Sequence, residues 1–133
     1  MKKLDFHYTV QADGTMKEAI TALEDALKEE SFGILWTFDI KDKLTEKGFT
    51  VDEPYMVLEL CNPQEAERVL KENKLVGYFL PCKIVVYQDQ GAIKIGLPKP
   101  TALIGLLDDP ELKELAGDIE RRLIGCIDRS IKK

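Results

Sequence analysis

A hairpin signal in the second half of the chain constrains the fold more than any other feature of the sequence. Residues 83–97, KIVVYQDQGAIKIGL, hold two short apolar segments separated by the turn pair Gln90 and Gly91. Two such segments, joined by a tight turn that contains glycine, are typical of neighbouring antiparallel strands. The sequence therefore predicts a sheet that is antiparallel at this point.

Three more strand patterns precede the hairpin, at residues 4–10, 34–40 and 55–61. The first alternates apolar and polar side chains, which is the period of a strand with one buried face. None of the strands is apolar throughout, as the strands of a buried parallel sheet usually are. A mainly antiparallel, five-stranded sheet is the arrangement that these patterns favour.

Helix signals alternate with the strands. Thr15 and Glu18 form a capping-box pattern before a long apolar stripe, and residues 42–48 have a short helical pattern that ends at a glycine. A cap residue stands directly before a proline at 62–63 and again at 109–110, where it marks the start of a helix. The order β-α-β-(α)-β-α-β-β-α predicts one α+β domain over residues 1–133, with helices packed on the sheet.

Two apolar segments lie outside these predicted elements. They are KLVGYFL, residues 74–80, and TALIGLL, residues 101–107. Both carry more apolar side chains than surface loops usually expose. We expect them either to fold back over the uncovered face of the sheet or to contact another subunit.

Charge and hydropathy exclude several classes of partner. The 133 residues include 24 acidic and 19 basic side chains, so the net charge of −5 gives no attraction for a phosphate backbone, and no nucleic acid is expected. No segment approaches the roughly 20 apolar residues of a membrane span, and Asp5 and His7 interrupt the start of the chain before any apolar signal region. We expect a cytoplasmic protein without a membrane partner.

Two of the three cysteines flank one excursion of the chain. Cys61 ends the third strand pattern and Cys82 begins the fourth. If these strands were parallel, the two thiols would lie at opposite edges of the sheet, whereas in antiparallel neighbours they lie at the same edge. The chain length allows both, and the hairpin favours the antiparallel choice. In a reducing compartment we expect thiols and no disulfide.

The surroundings of these cysteines offer two interpretations. Cys61 directly precedes the helix start at Asn62 and Pro63, where amide groups and the helix dipole favour a thiolate, and Pro81 fixes the approach to Cys82. The alternative is that both cysteines are small side chains that fill the end of the sheet, and Cys126 is expected to do this in the core.

Evidence for a metal or an enzyme is weak in this sequence. Zinc sites usually contain closely spaced ligand pairs, whereas a site made of Cys61, Cys82 and His7 would have no such pair. We therefore predict no metal and no cofactor. The motifs of phosphate loops, nucleophile elbows and zinc proteases are also absent from the sequence, so catalytic residues are not assigned and an enzyme is not favoured.

The segments CNPQEAERVL and GYFLPCKIVVYQD, followed by the glycine turn and LPKPT, are similar to the domain of unknown function 302 family of bacteria and archaea. The resemblance covers nearly the whole chain. It implies a curved antiparallel sheet backed by helices, similar to one repeat of the TATA-binding protein, and a homodimer. It also implies that Cys61 and Cys82 lie close together, and it brings no established reaction.

Three functional hypotheses follow. The first is a dimeric, non-catalytic domain that holds a small ligand in an apolar cleft between the two apolar segments, entered near the two cysteines. The second is thiol-dependent redox, sulfur-carrier or metal-binding activity. The third is a dimeric interaction protein whose cysteines only pack. The candidate site residues are Cys61, Asn62, Pro63, Tyr78, Pro81 and Cys82, with Lys83 on the rim.

Overall fold

A computed structural model describes residues 5–131. Its strands are β1 (His7–Ala12), β2 (Gly33–Asp39), β3 (Tyr55–Cys61), β4 (Cys82–Asp89) and β5 (Ala92–Pro98). Its helices are α1 (Met16–Glu29), α2 (Ile40–Glu46), α3 (Pro63–Glu72), α4 (Pro100–Ile104) and α5 (Pro110–Ile131), and 3₁₀ helices occupy Lys74–Phe79 and Gly105–Leu107. Residue 4 of the first predicted strand and the two ends of the predicted domain lie outside the described residues.

The five strands form one sheet in the order β1-β5-β4-β3-β2, and every neighbouring pair is antiparallel. The predicted α+β class and the mainly antiparallel five-stranded sheet are therefore confirmed. β3 pairs with β4 so that Leu60 lies opposite Cys82. This places Cys61 and the start of β4 at the same edge, as the antiparallel alternative requires. The likeness to a TATA-binding-protein repeat remains a prediction.

Side chains at the helix starts satisfy backbone amides that the first turn leaves without partners. Thr15 Oγ1 accepts from Glu18 N while Glu18 Oε1 accepts from Thr15 N, which is the predicted capping box. At α5, Asp109 Oδ1 accepts from the amides of the second and third helical residues. These local bonds explain why α1 and α5 begin where the sequence predicts.

One face of the sheet packs against α1 and α5 and forms the core. Alternate residues of the three central strands point to this face and are buried. They meet apolar stripes of the two long helices, which include Leu23 and Leu123. Cys126 is buried in the same core, as predicted. The central sheet residues are Leu58, Leu60, Ile84, Val86, Ile95 and Leu97.

The other face of the sheet, which we call the open face, carries the alternate set of side chains. These side chains are half-buried or exposed, except for Gly96, which has none. Neither apolar segment covers this face. Phe79 and Leu80 of the first segment meet Leu103 and Ile104 of the second on the helix side of the sheet. The open face includes His7, Thr9, Gln11, Trp36, Phe38, Tyr55, Val57, Glu59, Lys83, Val85, Tyr87, Lys94, Gly96 and Pro98.

Candidate functional site

A cavity of about 280 Å³ lies at the sheet edge where β3 ends and β4 begins. Both Cys61 and Cys82 line it, and both are free thiols. The strand register explains their proximity, because Cys61 follows the residue that pairs with Cys82. Apart from the two thiols, the wall is mainly apolar. It also includes Phe32, Leu35, Leu60, Asn62, Glu65, Ala66, Val69, Leu80, Pro81 and Ile119.

Asn62 joins the start of α3 to the end of α1. Its Oδ1 accepts hydrogen bonds from Gln64 N at 3.1 Å and Glu65 N at 3.3 Å, and its Nδ2 donates to Glu30 O at 3.2 Å. Its side chain is 5% exposed and has all three partners inside the protein. Asn62 is therefore a structural cap in the cavity wall and has little capacity left to hydrogen-bond a ligand.

The first turn of α3 does not offer amide donors to a Cys61 thiolate. Pro63 has no N–H, and Asn62 Oδ1 accepts from the next two amides. The fourth amide, Ala66 N, donates to Asn62 O. The amides that were expected to stabilise a Cys61 thiolate are therefore already occupied by the helix cap.

Cys82 is held as a neutral thiol. Burial, together with a smaller effect of the neighbouring Cys61, raises its pKa from 9.0 to about 11. A thiol with such a pKa is almost wholly protonated at neutral pH, and the protonated form is a poor nucleophile and a poor metal ligand. Cys82 is therefore a poor nucleophile at neutral pH.

An ion-pair cluster centred on Arg122 holds the Glu65 side chain of the cavity wall. Arg122 on α5 donates to Glu65 Oε2 at 2.6 Å, to Glu30 Oε1 at 2.9 Å and to Glu30 O at 3.1 Å. These bonds raise the pKa of Arg122, with the bond to Glu30 contributing most. Its guanidinium also lies 5.4 Å from the ring centre of Phe32. The cluster connects the ends of α1 and α3 to α5.

The second carboxylate oxygen of Glu65, Oε1, is not as well paired as Oε2. Oε1 lies 2.5 Å from Arg68 Nη2, yet this buried atom has no aligned hydrogen bond within the described residues. The short distance indicates an ion pair, and the missing alignment means that Arg68 gives only part of what a full hydrogen bond would give. Glu65 depends mainly on Arg122.

A smaller cavity of about 50 Å³ adjoins the first, and Leu80, Pro81 and Cys82 line both. The Leu80–Pro81 peptide bond is cis. The small cavity lies where the two apolar segments meet, which is where the sequence hypothesis located a ligand cleft. Because one water molecule takes up about 30 Å³ in the liquid, this space is too small for an organic ligand. The larger cavity is the better candidate.

The structure brings together four of the six predicted site residues: Cys61, Asn62, Pro81 and Cys82. Pro63 is exposed at the first position of α3 and does not line the cavity. Tyr78 is 82% exposed and also lies outside it. Lys83 lines only the smaller cavity.

His7 does not join the cysteines. It lies on β1, which is separated from β3 by two strands, and its Nδ1 bonds to Thr9 Oγ1 at 2.8 Å. Within residues 5–131, no group of three His, Cys, Asp or Glu side chains could hold a metal ion. In the same range, none of the helices is long and apolar enough to cross a membrane.

The fold and the cavity define a small α+β domain, with one antiparallel sheet, helices on one face and an apolar cavity at one sheet edge. Residues 8–130 match the family described as "Domain of unknown function DUF302". The chain belongs to this family. No curated protein matches it.

A solved structure of high similarity supports the same assignment. It is the crystal structure of an uncharacterized conserved DUF302 protein from Bacillus stearothermophilus, with 59% sequence identity and a TM-score of 0.92. The match covers 94% of this chain and 98% of that chain. The shared fold therefore extends over nearly the whole length of both proteins.

Proposed function

We propose that this protein is a cytoplasmic, homodimeric, non-catalytic domain that binds a small apolar molecule in the cavity beside Cys61 and Cys82. The observation that carries the proposal is the cavity itself. Its volume of about 280 Å³ is close to the lower end of the usual range of ligand pockets, about 300 Å³. An apolar cavity of about 150 Å³ can hold benzene, so this one has space for a bicyclic ring or a short alkyl chain.

The wall chemistry supports an uncharged ligand. Asn62 and Glu65 are the polar residues of the wall, and their side chains are bonded mainly within the protein. A negatively charged ligand group would lose its hydration without gaining a matching partner, because none of the described residues that line the cavity is basic. Binding should therefore depend on apolar contact and on shape.

Thiol chemistry is the alternative function, and the shared location of two thiols is the observation in its favour. The raised pKa of Cys82 and the occupied amides of α3 count against it. A resolving thiol has to ionise to attack its partner, and Cys82 resists ionisation. We therefore favour ligand binding over redox, sulfur-carrier or metal-binding activity.

The test uses Ala66, a half-buried residue of α3 in the cavity wall. Ala66→Phe fills the cavity, and Ala22→Phe is its matched control, because Ala22 is also half-buried but lies on α1 away from the cavity. Indole and 1-octanol serve as probes, with octanoate as a charged comparison. Binding is measured by calorimetry and by amide NMR shifts.

The native chain and Ala22→Phe should bind the two neutral probes, with NMR shifts concentrated at Cys61, Ala66 and Cys82. Ala66→Phe should weaken binding at least about tenfold, because the aromatic ring occupies the space of the probe. Equal binding by both variants, or no binding by the native chain, would contradict the proposal.

A further inference from the structure

The open face is unusually aromatic for the uncovered side of an antiparallel sheet. Such faces are normally polar because water covers them. Here Trp36 and Phe38 stack with ring centres 5.4 Å apart, and Tyr55 and Tyr87 stack at 4.8 Å. Trp36 is 56% exposed. This much aromatic surface on one sheet face is typical of a protein–protein contact.

The open face has a ridge and a groove side by side. The stacked pair Tyr55 and Tyr87 forms the ridge. Beside it lies a groove of about 340 Å³, which exists because Gly96 has no side chain between the ridge and β1. Phe6, His7 and other residues complete its walls. A surface with both shapes can fit a rotated copy of itself, with each ridge in the opposite groove.

Charged side chains lie toward the strand ends of this face. Glu59 and Lys83 are cross-strand partners near the end where β4 begins. Lys94 and Asp89 form an ion pair at 3.7 Å near the turn between β4 and β5. Val85 lies between these two charged pairs, so a contact over the centre of the face buries no unpaired charge among the described residues.

The size of the face is also sufficient. Five strands at a spacing of about 4.8 Å and seven residues at about 3.3 Å each give a projected area of about 550 Å² per copy. Two copies together bury about 1,100 Å², which exceeds the area of about 1,000 Å² that a specific interface requires. The estimate leaves out Phe6 and other side chains at the margins of the sheet.

We infer that a second copy of this chain packs its open face against this one, with the Tyr55–Tyr87 ridge of each copy in the Gly96 groove of the other. This inference rests on the homodimer in the proposed function and is independent of the ligand cavity, which lies on the helix side. The contact would bury the one tryptophan of the chain.

The first test is Val85→Lys, which puts a charge into the centre of the open face. The side chain of Val85 points away from the core, so a lysine there can reach water in a monomer. Leu106→Lys is the matched control, because Leu106 is 76% exposed on the helix side. Light scattering gives the mass, circular dichroism confirms folding, and Trp36 fluorescence reports burial.

The native chain and Leu106→Lys should have twice the 15.1 kDa mass of one chain. Val85→Lys should have the single mass, with Trp36 emission shifted to longer wavelength. A monomeric native chain would overturn the inference. A dimer that survives Val85→Lys but is lost in Leu106→Lys would also overturn it, because the contact would then lie on the helix side.

Removal of the ridge gives a second test that does not depend on Val85. Tyr87→Ala should weaken the dimer about tenfold or more, because its ring no longer fills the groove of the other copy. A folded Tyr87→Ala variant that dimerises as tightly as the native chain would contradict the proposed contact. Indole binding by the Val85→Lys monomer separates failure of this inference from failure of the cavity proposal.

Discussion

Arg122 Nη1 on α5 lies 2.6 Å from Glu65 Oε2 on α3, and this contact joins two helices that are also linked by the more exposed ion pair of Arg68 and Asp118 at 3.5 Å. The same guanidinium holds the end of α1 through Glu30. Since Glu65 is almost fully buried, the charge that it brings into the wall of the cavity requires this partner.

Arg122→Met should lower the free energy of unfolding by about 2 to 4 kcal/mol, because it leaves the Glu65 carboxylate buried with only the misaligned Arg68 beside it. Arg121→Met is the control. Arg121 is the adjacent residue, but its side chain is largely exposed and pairs with Asp118 at 3.5 Å, so its loss should cost less than about 0.5 kcal/mol. Urea unfolding measures both.

A double variant separates the pair from the packing of its side chains. Arg122→Met combined with Glu65→Gln removes both charges, so it should be more stable than the sum of the two single effects predicts. Strict additivity would show that Arg122 and Glu65 do not interact and would contradict the assignment of the contact.

The raised pKa of Cys82 makes stability depend on pH. The native thiol keeps its proton up to about pH 11, whereas the unfolded thiol loses it near 9.0, so unfolding releases a proton between these values. The contribution of Cys82 is therefore fully present below pH 9 and is lost as the pH rises to 11. It should amount to about 2 to 3 kcal/mol.

The measurement compares the native chain with Cys82→Ala by urea unfolding from pH 8 to pH 11. Tyr8 and Tyr55, whose pKa values are also raised, titrate in both proteins, so the difference between the two curves isolates Cys82. This difference should shrink as the pH rises. A difference that stays constant would show that the thiol ionises equally in the native and unfolded chains.

Gly96 should be hard to replace. A Cβ atom there would lie 2.8 Å from Thr9 Oγ1 and 3.3 Å from Tyr8 O on the neighbouring strand, so Gly96→Ala should cost about 1 to 3 kcal/mol. Gly105→Ala is the control, because its Cβ would meet nothing within 4 Å and its φ of −56° is helical. That change should stabilise the protein by roughly 0.5 kcal/mol. Thermal unfolding of both variants measures this contrast, and equal effects would contradict it.

Local signals predicted most of the fold. The strand at residues 55–61 was predicted with the bounds that β3 has, and the asparagine–proline start of α3 is at its predicted place. The helical turns at Lys74–Phe79 and Pro100–Ile104 were missed. One or two turns contain too few residues for an apolar period, so these segments could not be distinguished from apolar loops.

The candidate site could be predicted only in part, because some of its contacts join segments that are far apart in the sequence. The shared location of Cys61 and Cys82 depends on strand direction alone, which the hairpin signal favours. The pairing of Glu65 with Arg122 joins residues that are far apart in sequence and depends on how α3 packs against α5. Glu65 lies in the first turn of the predicted helix, and this position indicates neither its burial nor its partner.

The position of β1 also has a consequence for synthesis on the ribosome. β1 precedes every other strand, yet it pairs only with β5, so that His7 lies opposite Pro98. A nascent chain can assemble β2, β3 and β4 as each emerges from the exit tunnel, whereas β1 must wait until Pro98 has been translated. Until then β1 has no strand to pair with, and a chaperone that holds this segment would delay only the addition of β1 to the edge of the sheet.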